Sequence, residues 1–236
     1  MTSIPSNPVC LSPAKRLSVL RQFLQVSGLI TTVLLCGCAS RAPWKKESFA
    51  LATPSAPAGP AAHTNILSLH RVTVSPLFAG QPLVYRTGEN SYERDPYAEF
   101  LVPPNQMLEQ CLRSGLRNGH AFAQVLDPGS ELKPSCAVEV SATQLCGDFR
   151  QPGKPFAVLQ LRFLLYSIEP AHHGRELWER EFTKRLPFTH RTPAALVAGW
   201  NAGLQQIMEE VNTELNRLAV PKFAPATTSV AAPDVR

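Results

Sequence analysis

FAVLQLRFLLYSI, residues 156–168, is the stretch of sequence that decides the fold. Every second position from 159 to 165 is a large apolar residue, and Gln160 and Arg162 stand between them, which predicts a strand with one buried face. After a turn at 169–174, the segment 176–185 alternates again, with Trp178 and Phe182 on its apolar side. Two alternating segments joined by a short turn predict an antiparallel hairpin.

Two amphipathic helices are predicted on either side of this hairpin. The first opens at the pair Pro103–Pro104 and ends at Gly119, with apolar residues every three or four positions between them. The second starts with Thr192 as its N-cap and Pro193 in the first helical position, and its apolar face continues to Leu218. Both stripes predict helices that pack one face against a core.

Three further strands are predicted, at 66–76, 81–86 and 137–145, from runs of β-branched residues and from alternation. Residues 87–103 are predicted to form a long polar and aromatic loop, a length that is typical of functional segments. The pattern predicts an α+β fold, a two-layer sandwich in which a mixed or mainly antiparallel sheet is covered by two helices.

The N-terminal segment predicts export and a lipid anchor. A basic segment precedes the apolar run 23–35, which is too short for a spanning helix of roughly 20 residues and suits a signal peptide. The run ends in Leu35-Cys36-Gly37-Cys38, which resembles the lipobox of bacterial lipoproteins. Lipid on Cys38 would hold the mature protein to a membrane. The alternatives are a plain signal peptide cleaved near Ala39 or a buried membrane-proximal helix.

Four segments follow from this interpretation. We expect a signal peptide at 1–37, a lipid anchor with a Pro/Ala-rich tether at 38–62, one folded domain at 63–220 and a disordered tail at 221–236. The anchored domain faces the periplasm. Ala39 follows the cysteine where Asp would indicate retention in the inner membrane, so the outer membrane is favoured.

The net charge gives no support to a nucleic-acid partner. The chain carries +5, which falls to +2 once 1–37 is removed, because that segment holds three basic and no acidic residues. No Lys/Arg cluster interleaved with aromatics remains after processing.

Three cysteines remain in the predicted mature domain. Cys136 and Cys146 lie ten residues apart on one predicted strand, a separation that a disulfide cannot bridge if that strand is continuous. Any disulfide would therefore involve Cys111. The favoured interpretation is three small buried residues that stay reduced.

No catalytic or metal-binding motif stands out. Residues 147–154 differ from a phosphate loop, because five residues separate the glycines and Pro155 replaces the Ser or Thr that would hold magnesium. His172 and His173 are adjacent and have no ligand partner at metal-binding spacing. One group of carboxylates could form an acid/base set, although a solvated or partner-facing surface is favoured: Glu89, Glu93, Asp95 and Glu99. We therefore expect no enzyme, cofactor or metal.

One region carries a family resemblance, from Arg71 to Phe122. Its features, in chain order, are Val74-Ser75-Pro76, Leu83-Val84-Tyr85-Arg86, Glu93 with Tyr97, Pro103-Pro104, and the helix with Leu108, Leu112 and Leu116 that precedes Phe122. This region resembles the ABC-type transport auxiliary lipoproteins, the PqiC-like family that accompanies transporters built around mammalian-cell-entry (MCE) domain proteins. The family commonly has Trp where this sequence has Phe100.

The resemblance implies a non-enzymatic accessory subunit in the periplasm, usually at the outer membrane. Such a subunit helps an MCE-domain conduit protein move phospholipid or other hydrophobic molecules between membranes, while the ATPase and permease are separate chains. Two alternatives stay open, namely a lipid-binding carrier with an apolar cavity of several hundred Å³ and a structural envelope lipoprotein without a transporter. Assembly into a homo-oligomer is also open.

A set of aromatic and arginine side chains near the predicted loop is the candidate partner-binding site. Interfaces favour Tyr and Arg, and this set has both: Tyr85, Arg86, Tyr92, Arg94, Tyr97 and Phe100. The hypothesis is that these residues contact the conduit protein or a second copy of the chain. The alternative is that Tyr85 and Phe100 are core residues that hold the loop in place.

Overall fold

The computed structural model describes residues 45–55 and 61–218. The predicted signal peptide, Cys38 and the predicted tail at 221–236 lie outside the described residues. The described chain forms eight strands and two long helices: β1 (Glu47–Phe49), β2 (Ile66–Val74), β3 (Pro82–Arg86), β4 (Tyr92–Phe100), α1 (Pro104–Asn118), β5 (Gln124–Leu126), β6 (Cys136–Asp148), β7 (Phe156–Ser167), β8 (Glu176–Pro187) and α2 (Pro193–Arg217).

Strand β6 is the centre of the sheet. One edge of β6 pairs along its length with β7, antiparallel, and β7 pairs in turn with β8, which confirms the predicted hairpin. The other edge pairs with two strands in succession, first β2 and then β3, both parallel to it. β5 extends the sheet beyond β2, and β4 and β1 extend it beyond β3. The sheet is mixed, as predicted.

The two helices form the second layer. α1 packs on β2 and β5, α2 packs on β7 and β8, and the two helices contact each other. Trp200 on α2 is fully buried, and its indole Nε1 donates to the carbonyl oxygens of Cys146, at 3.3 Å, and Val158, at 3.1 Å. One side chain therefore joins the helix layer to two neighbouring strands. The predicted α+β sandwich is confirmed.

The helix ends agree with the sequence signals. Thr192 Oγ1 accepts from the backbone N–H of Ala195 at 3.2 Å, which satisfies one of the unpaired donors of the first turn. Gly119 caps α1 and lies so close to α2 that an added Cβ would come within 2.0 Å of Asn212. Asn212 Nδ2 also donates to the carbonyl oxygen of Gly115 at 3.2 Å. The glycines of α1 thus allow the two helices to approach closely.

The folded domain starts earlier than predicted. Residues 47–49, assigned to the tether, form β1, and Leu51 and Pro54 beyond it are buried. Their backbone is fixed by α2, because Ala52 N–H donates to Asn201 Oδ1 at 2.9 Å and Ser55 N–H donates to Gln205 Oε1 at 2.8 Å. A segment of small residues and prolines can pack against helices or form a free tether, and its composition alone does not distinguish the two.

The predicted loop at 87–103 is wrong, because most of it is strand β4. Charged residues and a proline occupy the middle of β4, where alternation would have been sought. Backbone pairing with β3 and β1 makes it a strand, and neither pairing leaves a periodic signal. β1 and β5 have three residues each, which is too short for a period to appear.

The cysteines that the structure describes are free, and the prediction of three reduced buried residues is confirmed. Cys111, Cys136 and Cys146 are all buried. Burial raises the pKa of each thiol, to about 11 for Cys136 and for Cys146, so they stay protonated and unreactive at neutral pH. Within 45–55 and 61–218, neither helix is long and apolar enough to cross a membrane.

Candidate functional site

The site, called here the hairpin site, consists of β3, β4 and their connecting turn, together with the loop that follows β6 and the segment that leads into α2. An open groove of about 500 Å³ runs along it. Both charged and aromatic side chains line this groove: Tyr85, Thr87, Glu93, Asp95, Phe149, Arg191, Thr192 and Pro193. The groove is therefore an open surface feature whose walls are partly charged and partly aromatic.

Tyr85 and Asp95 form the floor of the groove. The Tyr85 hydroxyl donates a short hydrogen bond to Asp95 Oδ2, and Asp95 Oδ1 accepts from the backbone N–H groups of Tyr97, at 2.8 Å, and Ala98, at 3.0 Å. The pKa of Tyr85 is raised well above its usual range, first by burial and then by the hydrogen bond and charge of Asp95. Asp95 thereby fixes both the tyrosine and the part of β4 where its register with β3 shifts.

Arg86 and Tyr92 form a pair on the opposite face of the hairpin, where they are direct cross-strand partners. The Arg86 guanidinium carbon lies 5.7 Å from the centre of the Tyr92 ring, and Nη2 donates to the carbonyl oxygen of Glu89 at 2.7 Å. The Tyr92 ring also meets Phe78 edge-on at 6.0 Å. The predicted residues Arg86 and Tyr92 are thus held together at the tip of the hairpin.

The other three predicted residues separate. Arg94 is exposed on β4, and its guanidinium approaches the carbonyl oxygen of Leu77 at 3.5 Å. Tyr97 is exposed at the far end of the strand. Phe100 is buried, with its ring centre 5.5 Å from that of Trp200, so it is a core residue and is removed from the candidate contact surface.

A cluster around Asp148 supports the hairpin site and was missed in the sequence. Asp148 is 3% exposed; it accepts from Arg150 Nε at 3.0 Å and Nη2 at 2.8 Å, and from Arg185 Nη2 at 3.0 Å. These hydrogen bonds, those from Arg150 above all, hold the pKa of Asp148 well below its usual range. Arg150 also reaches Glu89 at 2.8 Å and so ties the hairpin turn to the end of β6.

Phe149 and Arg191 were also missed, and they form the far wall of the groove. The Phe149 ring meets Tyr85 edge-on at 5.3 Å, and the Arg191 guanidinium carbon lies 5.3 Å from the centre of the Phe149 ring. Among the described residues, Glu93 and Arg191 form no ion pair, so charges of both signs face the groove unpaired. In the sequence, the only local indication of the Asp148 cluster is that Arg150 follows Asp148 two residues later, just after a predicted strand.

This surface combines arginine side chains with aromatic rings. In the part of the chain that the structure describes, no three His, Cys, Asp or Glu side chains converge as a metal site would require. His172 and His173 lie exposed at a single 3-10 turn. Ordered arginines stacked on aromatic rings are typical of protein interfaces. The fold and the site define a two-layer α+β domain that carries an arginine- and tyrosine-rich hairpin on its surface.

The comparisons with known proteins agree with this class. The model of the family described as ABC-type transport auxiliary lipoprotein component matches residues 49–212. The chain therefore belongs to the ABC-type transport auxiliary lipoprotein family. The lipoprotein family indicates a membrane-anchored, periplasm-facing protein. A search of the curated proteins finds no match.

Solved structures show the same fold. The crystal structure of protein XCC0632 from Xanthomonas campestris aligns with 17% identity and a TM-score of 0.59, covering 72% of this chain and 95% of that chain. The crystal structure of an uncharacterized protein aligns with 19% identity and a TM-score of 0.57, covering 72% of this chain and 99% of that chain. The folded domain described above is thus the unit that these proteins share.

Proposed function

We propose that this chain is a non-enzymatic accessory subunit of an ABC transporter built around an MCE-domain conduit protein. Lipid on Cys38 anchors it to the outer membrane, and the hairpin site docks the conduit protein, which supports transfer of phospholipid or other hydrophobic molecules and the integrity of the envelope. The observation that carries this proposal is the cluster of ordered arginine and tyrosine side chains at the tip of β3 and β4 in a domain of the transport auxiliary family.

The rigidity of the hairpin site supports a docking role. Glu89 in the turn is bound by Arg86 from the hairpin itself and by Arg150 from the loop after β6. Arg150 is fixed in turn by the buried Asp148. A surface that is ordered before binding loses less conformational entropy when a partner arrives, which favours specific association.

The carrier alternative lacks such an observation. A lipid carrier requires an apolar enclosure of several hundred Å³, whereas the groove at the hairpin site is open and its walls carry Glu93, Asp95 and Arg191. The apolar side of β7 is filled by the helices, and Leu161 and Phe163 on that side have 0% exposure. These features favour an adaptor over a carrier.

Photo-crosslinking tests the docking role. A photoreactive amino acid replaces Tyr92 in the full-length protein in its own cells, and the control replaces Leu132, an exposed leucine that precedes β6. We expect the residue 92 probe to trap an MCE-domain protein and the residue 132 probe to trap none. Equal labelling at both positions, or labelling of lipid alone by the residue 92 probe, contradicts docking of a conduit at the hairpin site.

Mass spectrometry of the membrane fraction tests the anchor. We expect the mature N-terminus to be a lipid-modified Cys38, recovered with the outer membrane after the two membranes are separated. A Cys38→Ser protein that is still acylated and membrane-bound would refute the assignment of Cys38.

A further inference from the structure

A small apolar patch is exposed at the end of β4. Leu101 is 63% exposed, Val102 is 38% exposed and the phenol of Tyr97 is 48% exposed. Soluble surfaces carry single apolar residues without consequence, but several within six positions of one strand and its following loop indicate a contact surface. This set of three residues is called the apolar patch below.

The N-terminal segment joins the domain beside this patch. In β1, Glu47 pairs with Ala98 and Phe49 pairs with Phe100. Leu101 N–H donates to the carbonyl oxygen of Phe49 at 2.8 Å, and Lys46 Nζ forms an ion pair with Glu99 at 2.5 Å. Adjacent strands lie about 4.8 Å apart, so the chain that comes from Cys38 meets the domain next to the apolar patch.

The connection from Cys38 to this point is short, because β1 belongs to the domain. Lys46 is the eighth residue after Cys38, so the two residues can lie at most about 29 Å apart. A domain of this length has a radius of gyration of about 16 Å and is therefore about 40 Å across. Even the longest possible connection is shorter than the domain, so the side that carries the patch faces the anchor.

We propose that the apolar patch rests on the lipid surface that holds Cys38, an inference that depends on the proposed lipid anchor. Tyrosine and aliphatic side chains suit the boundary between headgroups and acyl chains. The connecting sequence supplies Arg41, Trp44 and Lys45 and no acidic residue, a composition that favours anionic lipid. The domain is thus oriented on the membrane and does not hang freely from it.

This orientation places the two ends of β4 in different roles. The strand runs from Tyr92 at the hairpin site to Phe100 beside the apolar patch. Tyr92 pairs with Arg86 and Glu99 pairs with Pro82, so four residue steps of β3, at about 3.3 Å each, separate these ends by roughly 13 Å. The hairpin site is therefore presented away from the bilayer, towards the periplasm, where a conduit protein can reach it.

Fluorescence quenching by nitroxide-labelled lipid tests the inference. Leu101→Cys carries a fluorophore in purified, mature, full-length protein, and Leu132→Cys is the matched control, since Leu132 is 50% exposed but lies before β6. The cysteines at 111, 136 and 146 are buried and should not react with the dye. The protein is incorporated into vesicles of phosphatidylethanolamine and phosphatidylglycerol that carry the nitroxide near the headgroup. Val102→Cys is a second position in the patch, in case one label disturbs the fold.

We expect quenching of the residue 101 label to be several-fold stronger than that of the residue 132 label. Equal quenching in an acylated sample overturns the inference and leaves the anchor standing. A sample that proves by mass to lack lipid on Cys38 overturns the anchor and the inference together. A disulfide between two Leu101→Cys copies in detergent would identify the patch as a contact between copies and also overturn it.

Discussion

Two regions around β6 are held by different forces: the apolar side, where α2 covers the strand, and the charged side, where the end of the strand meets the hairpin site. At residue 146 the strand is joined to Trp200 within a closely packed apolar layer, and two residues later Asp148 gathers Arg150 and Arg185 in a charged cluster. Apolar packing depends little on pH, whereas an ion pair built on a carboxylate is lost when that carboxylate is protonated. The apolar scaffold and the hairpin site therefore share one strand but respond differently to pH.

Breaking the apolar side should have the largest effect. We expect Trp200→Ala to lower the free energy of unfolding by about 3–5 kcal/mol, because it removes a fully buried indole and leaves a cavity between α2 and the sheet. Urea denaturation measures the loss. Trp178→Ala is the control, since Trp178 is only partly buried, and its loss should be clearly smaller. Equal losses of unfolding free energy in the two variants would show that Trp200 is not the main contact between α2 and the sheet.

Breaking the charged side should cost less and depend on acid. We expect Asp148→Asn to lower the free energy of unfolding at pH 7 by about 1.5–3 kcal/mol, as charge-assisted hydrogen bonds are lost. The pKa of Asp148 is lowered in the fold, so its contribution is present above the unfolded value near 4 and is lost as the pH falls below that value. Unfolding curves from pH 7 to pH 2 should converge for the two proteins.

A second Asp→Asn variant, at an exposed ion pair, separates the effect of burial from the effect of losing one charge. Asp127 forms an exposed ion pair with Arg117, and Asp127→Asn should change the free energy of unfolding by less than about 0.5 kcal/mol. If Asp148→Asn behaves like Asp127→Asn, the cluster does not hold the hairpin side.

Adding a side chain where α2 meets the sheet tests how closely the apolar side is packed. A Cβ at Gly199 would lie 2.5 Å from the Ala157 Cβ, so we expect Gly199→Ala to destabilise the protein by about 1–3 kcal/mol. Adding Ala157→Gly should recover part of the loss. Gly203→Ala is the control, because its nearest neighbour would be 3.4 Å away; thermal melting should show no loss there. A loss of similar size at both glycines would contradict a close contact at 199.

Apart from the control variants, the smallest loss of stability is expected within the hairpin site. Tyr85→Phe removes the hydroxyl that binds Asp95 and should cost about 0.5–1.5 kcal/mol. Because the pKa of Tyr85 is raised in the fold, the wild-type protein should lose stability as the pH rises above about 10, a loss that the variant cannot share. A double-mutant cycle with Asp95→Asn isolates the pair, and additive losses would show that the two side chains are not coupled.

The site was predictable only in part. Arg94 and Tyr97 are exposed, as their residue types suggested, whereas Arg86 and Tyr92 are half-buried and Tyr85 lines the groove. Phe100 belongs to the core, because its position on β4 points it at Trp200, 100 residues away. No local pattern could indicate that Asp148 binds Arg150 and Arg185 while Arg150 reaches Glu89, since these contacts join three separate segments.

The sequence by itself determined the elements whose period is long enough to read. The alternation from 156 to 168 and the apolar stripes of α1 and α2 arise because each element has one buried face. That face requires apolar residues at regular intervals along the sequence. Only the tertiary structure decided that residues 47–55 belong to the domain and that 92–100 form a strand, because backbone hydrogen bonds to distant segments specify no side chain. Because β1 belongs to the domain, the connection to Cys38 is short, and the proposed orientation on the membrane depends on that length.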